Sequence, residues 1–574
     1  MDEAPRSARP TDLFRASDAI VSPAGDGKAV AVSRDGQGPT LIIESDARLL
    51  PRCGRFRTLQ DHAQGDALAL EALTRLRALG LLEAWGDVAT GGPLQEASRR
   101  RIDRVAFVTR DRPESIARAV ASLRARLAAH GRDAAIMVFD DSDHPTPIPG
   151  TTTFGRQQAL SLANRLAAHA GVDAAIVRWA MAPDHGAWAS GANYNRALLA
   201  NAGHDWCSFD DDVAFELYRT PRPQRGTGFA GMGEGPRLWP YRSRADAFAS
   251  HTDTGGDPIA AHESVLGRSI ASVVRDNGPF TQVANDLPSP VFRAVAQGRA
   301  RVALSSLGSL GDSGMSSSHW YVQQPPDTLL RFAPDDATWT WARSTRALLR
   351  TPDRLTLSSG YTFMAMAWAV DRDAFFPPFL PEHRASDAVF ARLLRYADDG
   401  ALIAHHPVAI RHDPLEERSY PPEDVWRVLM RPSIVEWLFW VVDVRGLGGP
   451  GDATSRLAGL GATMLEFAHL PREALIEFLR VRWFRRCAER AASLDAMRTH
   501  PPTFEGKRPS AAWADDVERC VTVLQQAIRN GDLPHPHEVP EGRDAVAALQ
   551  DNLLRFGTLL AVWGRVVAAA RATA

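Results

Sequence analysis

The chain has 574 residues, in which 66 Lys and Arg stand against 68 Asp and Glu for a formal charge of -2. That length exceeds one ordinary core and predicts two to four domains, while the even charge balance offers no extended positive field and excludes nucleic acid as the expected partner. Cys53, Cys207, Cys487 and Cys520 lie far apart without CxxC spacing, so neither a disulfide framework nor a structural zinc is expected and the thiols fit a cytoplasmic protein.

The first ten residues, MDEAPRSARP, lack the basic start and apolar core of a signal peptide, and no uncharged run of roughly 18 apolar residues predicts a transmembrane segment. Residues 12 to about 85 alternate short β-like runs with turns, as at Ala29 to Ser33 and Thr40 to Glu44, and end in a helical spacing at Leu68, Leu73, Leu76 and Leu79. This predicts a small α+β domain within residues 1–90. Its order, strands and then helices closing at Gly80-Leu81-Leu82, resembles the winged-helix modules related to PqqD. The resemblance implies a leader-peptide recognition module; an accessory domain without a peptide site is the alternative. Gly25-Asp26-Gly27-Lys28 lacks the glycine spacing and the Ser or Thr of a phosphate loop, and reads as a turn.

A Gly-rich polar linker, Gly86 to Arg101, leads into a β-α-β-α-β pattern: Val105 to Thr109, a helix from Pro113 to His130, Ala134 to Phe139, a helix from about Arg156 to Ala170, and a strand at Ala174 to Trp179. Over residues 100–415 this predicts an α/β domain whose mainly parallel, Rossmann-like sheet binds ligands at the carboxyl ends of its strands. After about Arg418 the apolar spacing is helical, broken at Gly446 to Gly451, Pro501-Pro502 and Pro534 to Pro540. An all-α domain is expected over residues 416–574, serving dimerisation or acceptor docking. Its most apolar stretch, Ser433 to Val444, reads as a buried helix.

The strongest local signal is Trp206-Cys207-Ser208-Phe209-Asp210-Asp211-Asp212-Val213, an apolar run that ends in three carboxylates. Adjacent acids repel one another, and burying them is costly unless a cation balances them. Carboxylate oxygens suit Mg2+ or Mn2+, and Asp210 and Asp212, two apart, share a side if strand geometry persists. Asp140-Asp141-Ser142-Asp143 closes an earlier strand in the same way.

In order and spacing these segments resemble glycosyltransferase family 2, whose members share the GT-A fold. The matching segments are Val105 to Pro113, Val138 to Asp143, Gly191-Ala192-Asn193-Tyr194-Asn195-Arg196 and the DxD at Asp210 to Asp212, across roughly 310 residues. The resemblance implies that Thr109 and Asp111 sit against the nucleoside, that Asp140 or Asp141 accepts from the base, and that Asn195 and Asp211 belong to the nucleotide-contacting set. Asp210 and Asp212 would address ribose, metal and diphosphate. Two departures stand out: the family's usual Asn at the first turn is Asp111, and its Ala-Arg-Asn segment reads Asn193-Tyr194-Asn195.

The acceptor half carries Ser359-Gly360-Tyr361-Thr362 and then Phe379 to Asp387, which opens a helix from Ala388 to Tyr396. Where the family places an acidic pair this chain has Ser386-Asp387. Ser386 reads as an N-cap, Asp387 as the base that deprotonates the acceptor, and Glu382 as its reserve. His412, after the strand-like Ala404 to Asp413, occupies the place of a further metal ligand. The Gly- and Ser-dense stretch Leu304 to Ser318 reads as a lid or a flexible insertion, and Trp320 and Tyr321 after it as residues that stack on a sugar.

The expected activity is transfer of a sugar from a nucleoside-diphosphate sugar, UDP by family habit, to a peptide or glycan acceptor with inversion and with Mn2+ or Mg2+ as cofactor. A nucleotidyltransferase would carry a Gly-rich basic loop after the first strand, which Thr109 to Pro113 lacks. An inactive transferase-like domain used for peptide binding or scaffolding is the rival from another class.

Overall fold

A computed structural model describes residues 12–573 apart from 34–37, 96–99, 185–188, 231–235, 286 and 361–362. The N-terminal decapeptide and the Tyr361-Thr362 pair therefore lie outside the described residues. The chain is of mixed α/β type, with one large mixed sheet and a helical C-terminal region.

The N-terminal part holds a three-stranded antiparallel sheet, Ala19–Gly25, Lys28–Ser33 and Thr40–Ile43, and a two-stranded one, Phe14–Ala16 with Leu82–Ala84. Gly25, Asp26 and Gly27 all have positive φ, so the phosphate-loop look-alike is a hairpin turn. Ala29, Ala31 and Ile42 face the core, whereas Ile20, Val32, Leu41 and Ile43 are exposed. Phe56 and Trp85 pack with Phe292, and Arg15 donates to the Asn285 carbonyl at 2.8 Å, which ties this part to the centre.

Twelve strands form the central sheet: β1 (Arg104–Thr109), β2 (Ala135–Asp140), β3 (Thr152–Phe154), β4 (Trp206–Asp210), β5 (Val213–Arg219), β6 (Gly228–Ala230), β7 (Arg237–Pro240), β8 (Arg301–Asp312), β9 (Ala347–Thr351), β10 (Thr356–Ser358), β11 (Ala367–Val370) and β12 (Ala401–His412). The main path runs β6-β10-β12-β8-β11-β4-β1-β2-β3, with β5 beside β12 and β9 linking β7 to β8. Between them lie α1 (Pro113–Ala129), α2 (Arg156–Ala170), α3 (Ala174–Met181), α4 (Ser190–Ala200) and α5 (Ser386–Ala397).

Four sequence expectations are corrected. The sheet is not mainly parallel: β3-β2-β1-β4 are parallel, but β11 runs antiparallel to β4 and β8, and β9, β10 and β5 add further antiparallel pairs. The stretch expected as a strand at Ala174 to Trp179 is helix α3; Asp173 caps it by accepting from the Ala175 N–H at 2.8 Å, and Ile176 and Val177 pack inward. The first half of the Gly- and Ser-dense stretch, Leu304 to Asp312, belongs to strand β8, which is buried from Val302 to Asp312 and paired on both edges; Ser313 to Ser318 follow it outside any strand. Its small residues answer close neighbours: a Cβ on Gly308 would lie 2.3 Å from the Arg350 carbonyl oxygen, and one on Gly311 would lie 2.1 Å from that of His412. Tyr321 is likewise core, its hydroxyl bonded to the Thr345 carbonyl, while Trp320 is 45% exposed with the Arg490 guanidinium over its ring.

The topology gathers the strand ends. Because β11 opposes both β4 and β8, those two run the same way, and β12 is parallel to β8. The carboxyl ends of β1, β2, β4, β8 and β12 thus share one edge, which carries Thr109, Asp140, Asp210, Asp312 and His412.

The C-terminal helices are α6 (Ile434–Val442), α7 (Ala453–Ala468), α8 (Arg472–Thr499), α9 (Ala511–Asn530) and α10 (Ala545–Ala572). The apolar Ser433 to Val444 stretch is the buried α6 that its pattern predicts. One apolar cluster runs without a break from Ala106 through Trp368 and Phe390 to Phe556 and Trp563, so sheet and helices share a core. By length and composition α10 alone among the described helices could cross a membrane, and 56% of its most apolar window is buried within the protein. All four cysteines are free and buried.

Candidate functional site

Helix α4 explains why the site forms where it does. Gly191 through Leu199 are all buried, and burying so many polar groups requires that each be hydrogen-bonded. Asn193 donates to the carbonyls of Thr109 (3.0 Å) and Phe139 (2.8 Å), which pins the ends of β1 and β2 together. The Tyr194 hydroxyl lies 2.7 Å from Asp210 Oδ1 and 2.5 Å from the Ala365 carbonyl, with one proton to serve both acceptors. Arg196, fully buried, pairs with Asp141 and donates to Asn193 Oδ1 and the Met181 carbonyl. Burial lowers its pKa, against the pull of Asp141.

Asp210 ends β4, and Asp211 and Asp212 form the turn into β5. The Asp413 N–H donates to the Asp212 carbonyl at 2.8 Å, which locks this turn to the end of β12. His412 Nε2 then stands 3.0 Å from Asp212 Oδ1, and its Nδ1 lies 2.7 Å from the Asp312 carbonyl. A carbonyl only accepts, so Nδ1 carries a proton and Nε2 is the nitrogen that faces the acids. One ligand atom each from Asp210, Asp212 and His412 lie within 4.8 Å of one another. Two carboxylate oxygens and an imidazole suit Mn2+ or Mg2+, and Mn2+ more readily for its tolerance of nitrogen.

Without a cation, Asp210 and His412 hold protons near neutral pH that a bound metal would displace. Burial and the facing Asp212 carboxylate push Asp210 up to about 8, and the same causes bring Asp211 to about 6. Burial also works to raise Asp212, but His412 and Arg112 override it and hold it at about 2. For His412 burial opposes charge, yet Asp212 and Asp312 raise it to about 9. A divalent cation at these three groups would relieve the repulsion between the acids.

A cleft of about 300 Å3 adjoins this cluster, lined by Thr109, Asp111, Arg112, Asp140, Ser142 and Thr146 among others. Thr109 Oγ donates to Asp211 Oδ2 at 2.6 Å, and the Arg112 guanidinium reaches Asp211 at 3.1 Å and Asp212 at 3.4 Å. Asp111 is exposed in the left-handed region (φ 54°), and its N–H donates to Ser142 Oγ at 2.7 Å. Asp140 accepts from the Ser142 N–H and hydroxyl and from the Thr146 N–H, and so shapes the cleft floor.

Of the two acids read as base acceptors, Asp140 lines the cleft and Asp141 turns away to Arg196. Asn195 does not face the cleft: its amide bonds the Ala180 and Phe379 carbonyls and accepts from the Phe379 N–H. Asp387 lies within electrostatic reach of Tyr194. Its carboxylate accepts from the N–H groups of Ala365 and Ala388, next to the carbonyl that Tyr194 meets, and burial raises its pKa. Ser386 is not the cap of α5. That position is held by Ala385 in the left-handed region (φ 60°), with no side-chain bond to the helix. Glu382 accepts from Trp179 Nε1 at 3.0 Å.

Arg112, Tyr194 and Arg196 are site residues that the sequence reading left without a role. Arg112 had a signal, a basic residue in the turn after the first strand. Tyr194 and Arg196 had another, polar groups inside an apolar helical run. No protein-family model, curated protein or solved structure matches the chain, so the site's chemistry is read from its geometry.

Proposed function

We propose that the chain is a metal-dependent glycosyltransferase with a GT-A-type central part, which moves a sugar from a nucleoside-diphosphate sugar to a peptide or glycan acceptor with inversion. The observation that carries this reading is the Asp210, Asp212 and His412 donor set beside the cleft that Thr109, Asp111, Arg112 and Asp140 line. Such a cleft takes a nucleoside, and the donor set meets its diphosphate at the carboxyl edge, where α/β sheets bind ligands. Bound by these three residues, a divalent cation would neutralise the departing diphosphate.

Thr109 and Arg112 hold Asp211, and Arg112 adds positive charge where the diphosphate would lie. Asp387 takes the proton of the acceptor nucleophile as that atom bonds the anomeric carbon. The bond from that carbon to the diphosphate oxygen breaks, and its electron pair leaves with the nucleoside diphosphate. A carboxylate made more basic by burial suits this task. The exposed apolar face of the N-terminal sheet supports a peptide-recognition role for residues 1–90.

An inactive, cation-free domain has one observation in its favour: His412 and Arg112 already neutralise Asp212. Calorimetry decides between the two. UDP should bind in the presence of Mn2+ and lose its metal dependence in His412→Ala, and a panel of UDP-sugars should be slowly hydrolysed. UDP binding that ignores Mn2+, with no hydrolysis, would leave the scaffold reading.

A further inference from the structure

A second and larger cleft, of about 660 Å3, lies away from the first and shares none of its lining residues. Its walls come from β6, β7, the middle of β8, the end of β9 and the loop after α8. Its volume is in the range of small-molecule sites. Five arginines line it, Arg222, Arg237, Arg331, Arg350 and Arg354, against two carboxylates, Asp327 and Asp353, which leaves three net positive charges.

The two carboxylates are engaged by three of the arginines. Asp327 serves both Arg237 (3.0 Å) and Arg331 (2.9 Å), and Asp353 serves Arg354 (3.1 Å). Arg331 is lowered by burial and by the nearby charges of Arg222 and Arg237, as in a cluster of like charges. Burial lowers Arg350 to about 10, and it is within electrostatic reach of Asp387. Guanidinium forks that line one cleft match the oxygens of a phosphate group.

We propose that this cleft binds a phosphate-bearing anion, held by Arg222, Arg237, Arg331, Arg350 and Arg354. The proposal rests on the cleft alone and is independent of the transferase reading.

The test is titration calorimetry of the full chain with inorganic pyrophosphate, in EDTA and at low salt so that the metal site takes no part. Pyrophosphate should bind the wild type. Arg222→Glu and Arg331→Gln should each weaken it about ten-fold or more, while Arg55→Glu, the same charge change as Arg222→Glu at an exposed N-terminal position, should not. Arg222 is exposed, so Arg222→Glu remains informative if Arg331→Gln fails to fold. No binding by the wild type, or an equal loss in Arg55→Glu, overturns the site. Hydrolysis of UDP-sugars by a protein that ignores pyrophosphate overturns it and leaves the transferase reading intact. Pyrophosphate binding without any UDP binding upholds the anion site.

Discussion

Replacing Asp210 by Asn separates what that carboxylate does for stability from what it does for metal. In the metal-free fold Asp210 keeps its proton up to about 8, whereas the unfolded chain gives it up near 3.8. The associated stability is complete below 3.8 and is lost as pH rises toward 8, at about 1.4 kcal/mol for each pH unit. At pH 7 the upper bound is about 4 kcal/mol. Asn has the shape of the neutral acid, still accepts from Tyr194, and has no proton to lose. In EDTA the variant should therefore gain on the order of 2–4 kcal/mol at pH 7 and almost nothing at pH 4. Mn2+ should raise the unfolding midpoint of the wild type by mass action and leave the variant unmoved. Urea unfolding at several pH values, with and without Mn2+, reads both effects. A variant that is less stable than wild type at pH 7 in EDTA, with a deficit independent of pH, would refute the reasoning about buried repulsion.

Asp387→Asn should lower turnover by on the order of 10²–10⁴-fold while UDP and Mn2+ bind as before; equal losses of binding and turnover would make Asp387 structural. A Cβ at residue 191 would fall 1.8 Å from the Leu380 carbonyl oxygen. Gly191→Ala should consequently cost about 3 kcal/mol in urea unfolding and disturb the segment that leads to Asp387. His405 and His406 are held at about 3 and 4 by burial and stay neutral in the fold, while the unfolded chain protonates them below about 6.5. Stability is complete above that value and falls as pH drops. By pH 5 each histidine accounts for about 2 kcal/mol, and His406→Gln should flatten the acid limb of the stability curve by one proton.

The part of this fold that was legible in the sequence is the part set by local pattern. Val105 to Thr109 and Ala134 to Phe139 are apolar runs between turn residues, and Pro113 opens a helix in the usual way. The acidic strand ends were legible because charge is conspicuous in an apolar context. What was hidden depends on neighbours distant in the chain. Ser305 to Gly311 has a loop's composition, but β9 and β12 approach Gly308 and Gly311 so closely that a Cβ there would collide with their backbones. Ile176 and Val177 have strand propensity, yet the Asp173 cap and an inward-facing stripe make a helix there. Within the site, Asp210, Asp212 and His412 could be paired by type and order, whereas the reach of Arg112 across Asp211 and Asp212 needs the turn geometry of both segments.

The helical C-terminal region, silent as chemistry in the sequence, reaches the loop that leads to Asp387. Trp563 Nε1 of α10 donates to the Phe376 carbonyl at 2.9 Å, and Asn552 Nδ2 lies 3.1 Å from His383 Nε2. From the other side the Asn195 amide grips Phe379. Between these clamps His383 (φ 77°) and Ala385 (φ 60°) adopt left-handed backbone that side chains with a Cβ disfavour by about 1–2 kcal/mol each. Strain of that size persists only where the surroundings impose it, and here the surroundings are α4 on one side and α10 on the other. The loop ends at Asp387, so the position of the proposed base is set jointly by the helix that organises the acids and by the helix nearest the chain's end. A sheet with the acids but without α10 would lose one of the two clamps that hold the base in place.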